Sequence, residues 1–359
     1  MKILVVKLSS LGDILHLFPA ISDLHKGIPT AEIHWLIEPA FAEVAGWHSA
    51  IDKVIPVALR SHKKTWWKIP SLFFSLRNKL QLEQYDVVLD AQGLLKSALI
   101  ARLAGAPVFG FHSDSARESL ASWFYEKHVK VPDDIHVIEK NRHLISQSFD
   151  IKKSSVIDYG LDIFGYNILQ NEHQKLPTKI VDRPFIMLLH GTTWDSKYWP
   201  ESSWIELIQL LAEQGWHCLV PWGNDAEYQR AKRFEAAATG YVFVLEKMSL
   251  TELMSLLLCA HAFVSVESGI GHLASALNIR GVMLHGPTSP NYSGILEKSC
   301  FHIVSEMSCS PCFKRSCPIL NNAGIPPCQQ AITPQRVISF LSLNDALPTM
   351  KQNRRADFY

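Results

Sequence analysis

The stretch MKILVVKLSSLGDILHLFPAISDLH, residues 1–25, decides the fold class. KILVV (2–6) is a continuous apolar run, typical of a strand buried on both faces of a parallel sheet. Gly12 allows a tight turn, and the apolar spacing after it predicts a helix over 13–26. The chain therefore opens as an α/β fold, and Asp13 follows the carboxyl end of the first strand.

The alternation of strand and helix continues along the chain, which predicts parallel sheets covered by helices. Each half has its own apolar strands, and a polar segment without periodicity, 150–183, lies between the halves. We predict two Rossmann-like domains facing each other across a cleft, with ligands beyond the carboxyl ends of the strands. Further predicted strands are 32–37, 52–57, 86–90, 107–111, 185–190, 217–222, 241–245, 262–266 and 281–286, and further predicted helices are 40–47, 64–82, 94–104, 116–126, 136–148, 201–214, 225–237, 250–260 and 270–277.

Composition narrows the function classes. The chain has 359 residues, enough for two domains, with 35 Lys and Arg against 34 Asp and Glu. This balance gives no general attraction for nucleic acid. There is no apolar run of membrane-spanning length, and Lys7, Asp13 and His16 interrupt the N-terminal apolar stretch. We expect a cytoplasmic protein.

Asp13 has two interpretations. It can cap the first helix, as Ser9 and Ser10 also can, and this is the commoner role for a lone Asp at such a turn. A carboxylate after a strand, on a loop facing a second domain, is also where a general base is expected. The residues alone leave both interpretations open.

Basic residues in the first half are candidates for an anionic ligand. Lys96 lies in the first turn of a predicted helix, where the macrodipole disfavours a cation, so it either faces an anion or extends into solvent. Arg117 stands at another helix start. Arg60 and Lys64 lie in RSHKKTWWK (60–68), which reads as a solvated helix start or as a patch for an anionic amphiphile at a membrane surface.

The loop after strand 185–190 is the richest in the second half. Thr192, Thr193 and Lys197 supply hydroxyls, exposed amides and a cation, which together suit a diphosphate. Glu227 suits a ribose or a base, with a helix-surface glutamate as the alternative, and Met248 can pack on a flat base.

A strand, turn and helix over 262–277 place Glu267, Ser268, Gly269 and His272 at a helix N-terminus, which is an anion site. GIGHLA also matches the dinucleotide fingerprint, but the acidic residue expected about 20 positions later is missing, which argues against NAD. The chain has no DxD triplet for a carboxylate-held metal, so helix N-termini, hydroxyls and Lys197 would have to stabilise a leaving diphosphate.

Four cysteines cluster near the C-terminus with CxxC-x4-C-x10-C spacing. The CxxC pair suits zinc thiolates, but the remaining spacing is irregular, so buried free thiols or a redox-labile pair are favoured over a metal. We predict no metal requirement. The four residues are Cys309, Cys312, Cys317 and Cys328.

The motifs together resemble the lipopolysaccharide heptosyltransferases, nearest to the type I branch. The resemblance rests on VKLSSLGDILHLFPA, DAQGLLKSA, ARESLASWFY, HGTTWDSKYWP, PWG, KMSL, SGIGHLA and GPTSP, in this order. It implies a two-domain GT-B fold and metal-independent transfer of L-glycero-D-manno-heptose from ADP-heptose, with inversion, onto Kdo of Kdo-lipid A at the cytoplasmic face of the inner membrane. No cofactor and no nucleic acid are implied.

The resemblance also implies roles for individual residues. Residues 1–165 would bind the acceptor, 166–345 would bind ADP-heptose, and 346–359 would be a polar tail. Asp13, in the matching SSxGD, would be the general base, and Lys197 would stabilise the leaving ADP. The implied acceptor residues are Ser10, Gly12, Arg60, Lys64, Lys96 and Arg117, and the implied donor residues are Thr192, Thr193, Lys197, Glu227, Met248, Glu267, Ser268, Gly269 and His272.

Two departures from the family pattern keep alternatives open. Glu267 stands where the family usually has Asp, and the extra methylene moves the carboxylate. The tail CSPCFKRSCP (309–318) looks more like the type II enzymes, which add a later heptose. A type II-like acceptor is therefore one alternative, and a non-catalytic nucleotide-binding module of the same fold is another.

Overall fold

A computed structural model describes residues 1–59, 69–161, 183–294, 296, 299–321 and 324–341. The chain divides into two compact units, Met1–Tyr166 and Asn167–Tyr359. Each unit contains a six-stranded parallel sheet, which confirms the predicted α/β class with two Rossmann-like halves. The predicted acceptor residues Arg60 and Lys64 and the predicted tail lie outside the described residues.

Both sheets have a Rossmann-type strand order. The first has the order β3-β2-β1-β4-β5-β6 and the second β12-β11-β10-β7-β8-β9. The strands are Lys2–Val6 (β1), Glu32–Ile37 (β2), Lys53–Pro56 (β3), Val87–Asp90 (β4), Val108–Phe111 (β5), Lys127–Val129 (β6), Phe185–Leu189 (β7), His217–Val220 (β8), Val242–Val244 (β9), Ala262–Val266 (β10), Gly281–His285 (β11) and Cys300–Val304 (β12).

Each sheet has one point where the strand order reverses. In the first unit β1 lies beside β4, with Val6 opposite Asp90, and in the second β7 lies beside β10, with Leu189 opposite Ser265. Ligands of open α/β sheets bind at such reversal points, beyond the carboxyl ends of the strands. The loops that follow β1, β4, β7 and β10 are therefore where the fold itself predicts a site.

The helices cover these sheets, and most begin and end within two residues of the predicted bounds. The described α-helices are Leu11–Leu15, Phe18–Gly27, Ala42–Gly46, Ile69–Leu82, Leu95–Arg102, Val137–Phe149, Glu201–Glu213, Asp225–Ala237, Leu250–Cys259, Gly269–Ala276, Pro290–Ser293, Pro327–Gln330 and Pro334–Leu341, and short 3-10 helices span Pro39–Phe41, Ser119–Phe124 and Asp195–Lys197.

Two helix predictions were wrong. The helix predicted over 13–26 is two helices, because Pro19 lacks an N–H and its ring clashes with the preceding turn. The helix predicted over 116–126 is instead the 3-10 helix Ser119–Phe124. There the Tyr125 hydroxyl donates to the buried Asp90 carboxylate (2.8 Å), a tertiary bond that no local pattern reveals.

Strands β6 and β12 were missed. Both lie at the edge of their sheet, and both carry polar or exposed residues, as KHV and CFHIV show. These two segments therefore lack the continuous apolar run that marks the central strands.

Each unit has its own apolar core. In the first, Leu4 and Val6 of β1 pack with Ala98, Ala101 and Ala121. In the second, β7, β8 and β10 pack against Glu201–Glu213 and Pro334–Leu341, with the large fully buried side chains Trp204 and Phe234 at the centre. The sheets are thereby rigid supports for the loops at their carboxyl ends. No helix in the described ranges is both long and apolar enough to span a bilayer.

Candidate active site

Asp13 lies in the first turn of the helix Leu11–Leu15, directly after β1. Its Oδ2 accepts hydrogen bonds from the Ser10 backbone N–H (3.1 Å) and the Ser10 hydroxyl (3.0 Å). Its Oδ1 accepts from an N–H of the Arg117 guanidinium. Asp13 therefore takes part in capping its helix and also presents an oxygen to a cation, so the two interpretations drawn from the sequence are compatible.

Two cations keep the Asp13 carboxyl ionised. Burial raises its pKa, but the charges of Lys7 and Arg117 and the hydrogen bonds from Arg117 and Ser10 lower it by more, so the pKa lies well below its ordinary value. Lys7 is buried at the end of β1, where its Nζ donates to the Ala91 carbonyl (2.7 Å). An ionised carboxylate at neutral pH is the form that accepts a proton.

The loop after β4 supports the loop of Asp13. Asp90 is fully buried and accepts from the Gln92 N–H (2.9 Å) and the Ser97 hydroxyl (2.8 Å), and burial raises its pKa. The Gln92 side-chain oxygen accepts from the Leu8 N–H (3.0 Å), which joins the loops that follow the two strands. Both Asp90 oxygens accept hydrogen bonds, so this carboxylate has a structural role.

The predicted acceptor residues fall into two groups. Ser10, Gly12 and Arg117 lie around Asp13, the predicted base, with Gly12 buried within the short helix. Gly93 adopts φ +68° where an added Cβ would lie 3.3 Å from the Arg117 backbone nitrogen, so this glycine admits the Arg117 loop. Lys96 lies in the first turn of Leu95–Arg102, as predicted, with its side chain exposed.

In the second unit, Lys197 and Glu267 form a buried ion pair. Lys197 ends the 3-10 helix Asp195–Lys197, and its Nζ lies 2.9 Å from Glu267 Oε2 and 4.2 Å from the centre of the Trp194 ring. Glu267 follows β10. The pair therefore joins the two loops at the reversal point of the second sheet.

Glu267 also holds the surrounding polar groups. Its Oε1 accepts from the Ser293 hydroxyl (3.0 Å) and lies 3.8 Å from His272 Nε2, and its carbonyl accepts from the Thr192 hydroxyl (3.4 Å). Burial raises the pKa of Glu267, but the neighbouring His272 ring and the charge of Lys197 hold it well below its ordinary value. The structure brings five predicted donor residues together here: Thr192, Lys197, Glu267, Ser268 and His272.

Ser268 is the N-cap of Gly269–Ala276, and its hydroxyl accepts from the Gly271 N–H (3.2 Å). Gly271 has no room for a side chain, since an added Cβ would lie 2.4 Å from the Ser265 hydroxyl oxygen. The helix N-terminus beside the ion pair has the positive dipole end that attracts anions.

Of the remaining predicted donor residues, Thr193 and Glu227 lie next to this site, and Met248 lies on the loop that follows β9. Glu227 lies in the first turn of Asp225–Ala237, and its Oε2 accepts from the Gly223 N–H (2.8 Å). An added Cβ on Gly191 would lie 2.7 Å from Glu227 Oε1, so the two loops approach closely. Thr193 is exposed, and Met248 is half-buried just before Ser249, the N-cap of Leu250–Cys259.

Comparisons with known proteins give the family of this chain. The sequence profile described as "Glycosyltransferase family 9 (heptosyltransferase)" matches residues 73–322. The chain belongs to this family.

Relatives and solved structures extend the match. The chain is 41% identical to lipopolysaccharide heptosyltransferase 1 of Pseudomonas aeruginosa, over 88% of this chain and 87% of that one. It is 40% identical to the Escherichia coli K12 protein of the same name, over 82% and 90%. The structure of E. coli heptosyltransferase WaaC with ADP-2-deoxy-2-fluoro heptose matches with a TM-score of 0.79 at 35% identity, over 96% and 100%.

These matches confirm the predicted resemblance, the GT-B fold and the prediction of a glycosyltransferase. E. coli heptosyltransferase II, at 22% identity and a TM-score of 0.75, shows the fold alone. The roles predicted for individual residues of this heptosyltransferase stay predictions.

The cysteines near the C-terminus are free thiols. Cys328 is buried, and burial raises the pKa of its thiol to about 11, whereas Cys309 is exposed. Among the residues with described positions, no group of three or more His, Cys, Asp or Glu is arranged to hold a metal ion. The cysteine segment instead packs on the Lys197 turn, where the Ser196 hydroxyl donates to the Lys314 carbonyl (2.6 Å).

Sequence reasoning missed several residues that build the clusters around Asp13 and Glu267. Lys7 was noted only as an interruption of an apolar stretch, although a lysine ending a buried strand signals a buried cation. The Lys197 ammonium group lies over the Trp194 ring, and the Gln329 side chain donates to the Lys197 carbonyl (3.0 Å). Ser293, the partner of Glu267, lies 26 residues away and has no sequence signal.

Proposed function

We propose that this protein is heptosyltransferase I, transferring L-glycero-D-manno-heptose from ADP-heptose, with inversion, to Kdo of Kdo-lipid A. The observation that carries the proposal is the ionised Asp13 carboxylate at the reversal point of the first sheet. The largely enclosed cation Lys197, with 12% side-chain exposure, and a helix N-terminus lie at the equivalent point of the second sheet. Glycosyl transfer from a nucleoside diphosphate sugar needs a base for the acceptor hydroxyl and an anion site for the leaving diphosphate.

The donor is assigned to the second unit. Thr192, Thr193 and Lys197 would bind the phosphates, with the Gly269–Ala276 N-terminus beside the diphosphate and heptose. Glu227 and Met248 would contact ribose and adenine. The WaaC complex with a fluorinated ADP-heptose supports this donor class, since that relative is similar along nearly the whole chain.

The acceptor is assigned to the first unit, with Asp13 as general base. Asp13 takes the proton of the Kdo hydroxyl as its oxygen bonds to the anomeric carbon. The bond from that carbon to the ADP oxygen breaks, and ADP leaves with the electron pair. Attack from the face opposite ADP inverts the anomeric centre. Because the transition state resembles an oxocarbenium ion, the proton transfers late and a weak base suffices.

Arg117 contacts the proposed base, and this suggests how the acceptor is aligned. A Kdo carboxylate held by the Arg117 guanidinium would place the sugar within reach of Asp13. Lys96 adds an exposed cation in the first turn of Leu95–Arg102, the helix that follows β4. Arg60 and Lys64 would add further anion contacts, and both lie outside the described residues.

The leaving ADP is stabilised in this proposal by Lys197, hydroxyls and backbone N–H groups, so no cofactor is needed. The expected result is transfer that persists after treatment with EDTA and in metal-free buffer. Transfer that is lost with EDTA and recovered with Mg²⁺ or Zn²⁺ would contradict this part of the proposal.

We also propose that the protein works at the cytoplasmic face of the inner membrane as a peripheral protein. Leu120 and Trp123, on the 3-10 helix that follows Arg117, are large apolar side chains with 47% and 79% exposure. Such residues beside a cation suit an anionic lipid surface. Trp123→Ser should weaken flotation with phosphatidylglycerol vesicles, whereas Leu82→Ser, at another exposed apolar site, should not.

Product analysis tests the acceptor. Kdo-lipid A and heptosyl-Kdo-lipid A are offered in parallel with ADP-heptose, and products are identified by mass. We expect a mass gain of one heptose on Kdo-lipid A alone. Gain on heptosyl-Kdo-lipid A alone would favour the type II alternative that the CSPCFKRSCP segment suggests, and no gain on either acceptor would overturn the proposed reaction.

A further inference from the structure

The Glu267 carboxylate has two differently occupied oxygens. Oε2 faces Lys197 Nζ at 2.9 Å, and Oε1 accepts from the Ser293 hydroxyl at 3.0 Å. The Glu267 and Lys197 side chains are buried, with 7% and 12% exposure, so the orientation of this carboxylate decides where the ammonium group lies. Whatever holds Oε1 in place therefore also acts on Lys197.

Ser293 can hold Oε1 because its own position is set independently. It ends the short helix Pro290–Ser293, in which the Ser293 N–H donates to the Ser289 carbonyl (3.3 Å) and the Gly294 N–H to the Pro290 carbonyl (2.8 Å). An added Cβ on Gly294 would lie 2.5 Å from the Pro290 carbonyl oxygen, so the chain leaves this helix through a tight turn.

We infer that Ser293 is a positioning residue for the donor diphosphate: its hydroxyl holds Oε1 of Glu267, and Glu267 in turn holds Lys197. The inference rests on the donor role proposed for Lys197. A hydrogen bond to a charged, buried group is stronger than one between neutral groups. Without it Oε1 keeps His272 Nε2 as a more distant neighbour at 3.8 Å, so the carboxylate is freer to turn about its side-chain bonds, and the ammonium group follows the negative charge.

The length of Glu267 is essential to this arrangement. An aspartate at the same backbone position would carry its carboxylate one methylene closer to β10. Such a carboxylate would not reach both Ser293 and Lys197, which lie on different loops. Ser293 should therefore matter only when position 267 is Glu.

The test measures binding of ADP alone by calorimetry, beside steady-state kinetics with ADP-heptose. Ser293→Ala should raise both the ADP Kd and the KM for ADP-heptose by about threefold to tenfold, and kcat should fall as well because Lys197 also stabilises the leaving ADP. Ser293→Thr keeps the hydroxyl and should restore these values. In the Glu267→Asp background, Ser293→Ala should cost no further ADP affinity.

Ser289→Ala is the matched control. Ser289 lies at the start of the same helix, and its hydroxyl accepts from the Asn291 N–H (3.3 Å); Ser289→Ala removes this cap bond but keeps the Ser289 carbonyl that holds the Ser293 N–H. We expect this variant to bind ADP as the unchanged protein does. Thermal unfolding of all the variants shows whether they share the same fold.

The possible failures are distinguishable. If the unchanged protein binds no ADP, the donor site of the proposed function is wrong. If it binds ADP but Ser293→Ala binds equally well, the inference about Ser293 is wrong and the proposed function stands. A Ser289→Ala variant with the same loss, or a Ser293→Ala effect that adds fully to Glu267→Asp, would also overturn the inference.

Discussion

The two reversal points carry the same kind of pair in different surroundings. At the first sheet, Asp13 pairs with Arg117, whose side chains are 19% and 49% exposed. At the second, Glu267 pairs with Lys197, with 7% and 12% exposure. A cation in contact with water can exchange partners at small cost, whereas a buried one is fixed by its counter-charge. The first pair suits chemistry on an incoming acceptor, and the second suits a preformed anion site.

The largest expected effect comes from removing the base of the exposed pair. Asp13→Asn keeps the shape of the side chain but cannot accept the proton, so we expect transfer to fall by at least about a thousandfold. ADP affinity should stay within about twofold, since Asp13 belongs to the acceptor unit. Product formation followed by mass and ADP calorimetry check both parts, and a fully active Asn variant would contradict the mechanism.

Removing one partner of the Lys197–Glu267 pair should lower the free energy of unfolding. Lys197→Met leaves Glu267 buried without its cation, which costs about 3–5 kcal/mol of unfolding free energy. Denaturant unfolding measures the loss, and the double variant Lys197→Met/Glu267→Gln, which buries no lone charge, should regain much of it. If the single variant is as stable as the unchanged protein, the contrast between the two pairs does not hold.

The pH dependence of stability sharpens the same point. The pKa of Glu267 is depressed in the folded protein, so its contribution is present above the unfolded pKa and is lost as pH falls through the folded pKa. In Lys197→Met, protonation of the Glu267 carboxyl removes its unpaired buried charge. The loss of unfolding free energy relative to the unchanged protein should therefore shrink as pH is lowered from 7 towards 4. A constant difference over that range would argue against a buried pair.

Removing the exposed cation should shift the pH profile. Arg117 lowers the pKa of Asp13, so Arg117→Ala raises it towards the ordinary range of an aspartate, and the base becomes protonated at a higher pH than in the unchanged protein. The acidic limb of kcat/KM should move to higher pH, and the KM for the acceptor should rise. Arg102→Ala, which removes a surface cation paired with Glu126, is the control and should leave the limb in place.

The smallest effect is expected at the border of the donor site. Gly191→Ala places a methyl group 2.7 Å from Glu227 Oε1, so the carboxylate must shift by a few tenths of an ångström. We expect the KM for ADP-heptose to rise by about twofold to fivefold with kcat unchanged. Glu227→Gln keeps the shape of the side chain but removes its charge, so the same assay shows whether position or charge sets the KM. An unchanged KM in both variants would exclude Glu227 from the donor site.

Local patterns predicted most of this fold because the central strands are buried on both faces. Ala262–Val266 and Lys2–Val6 begin and end at the predicted residues, since a continuous apolar run admits little else. The strands Lys127–Val129 and Cys300–Val304 were not predicted because half-exposed segments tolerate polar residues, which hide the apolar pattern. Residues 119–124 form a 3-10 helix and not the predicted α-helix, and the adjacent Tyr125–Asp90 bond is a tertiary contact that the local sequence does not reveal.

The sequence by itself determined the α/β class, the two halves and the polar residues that follow each strand, because these depend on apolar period and on turn chemistry. It also contained the ordered motifs that identify the family. Only the tertiary structure decided that Lys7 and Arg117 surround Asp13, and that Glu267 lies between Lys197 and Ser293. These groups are 6, 104, 70 and 26 residues apart, and only the packing of parallel strands brings such distant loops to one edge of a sheet.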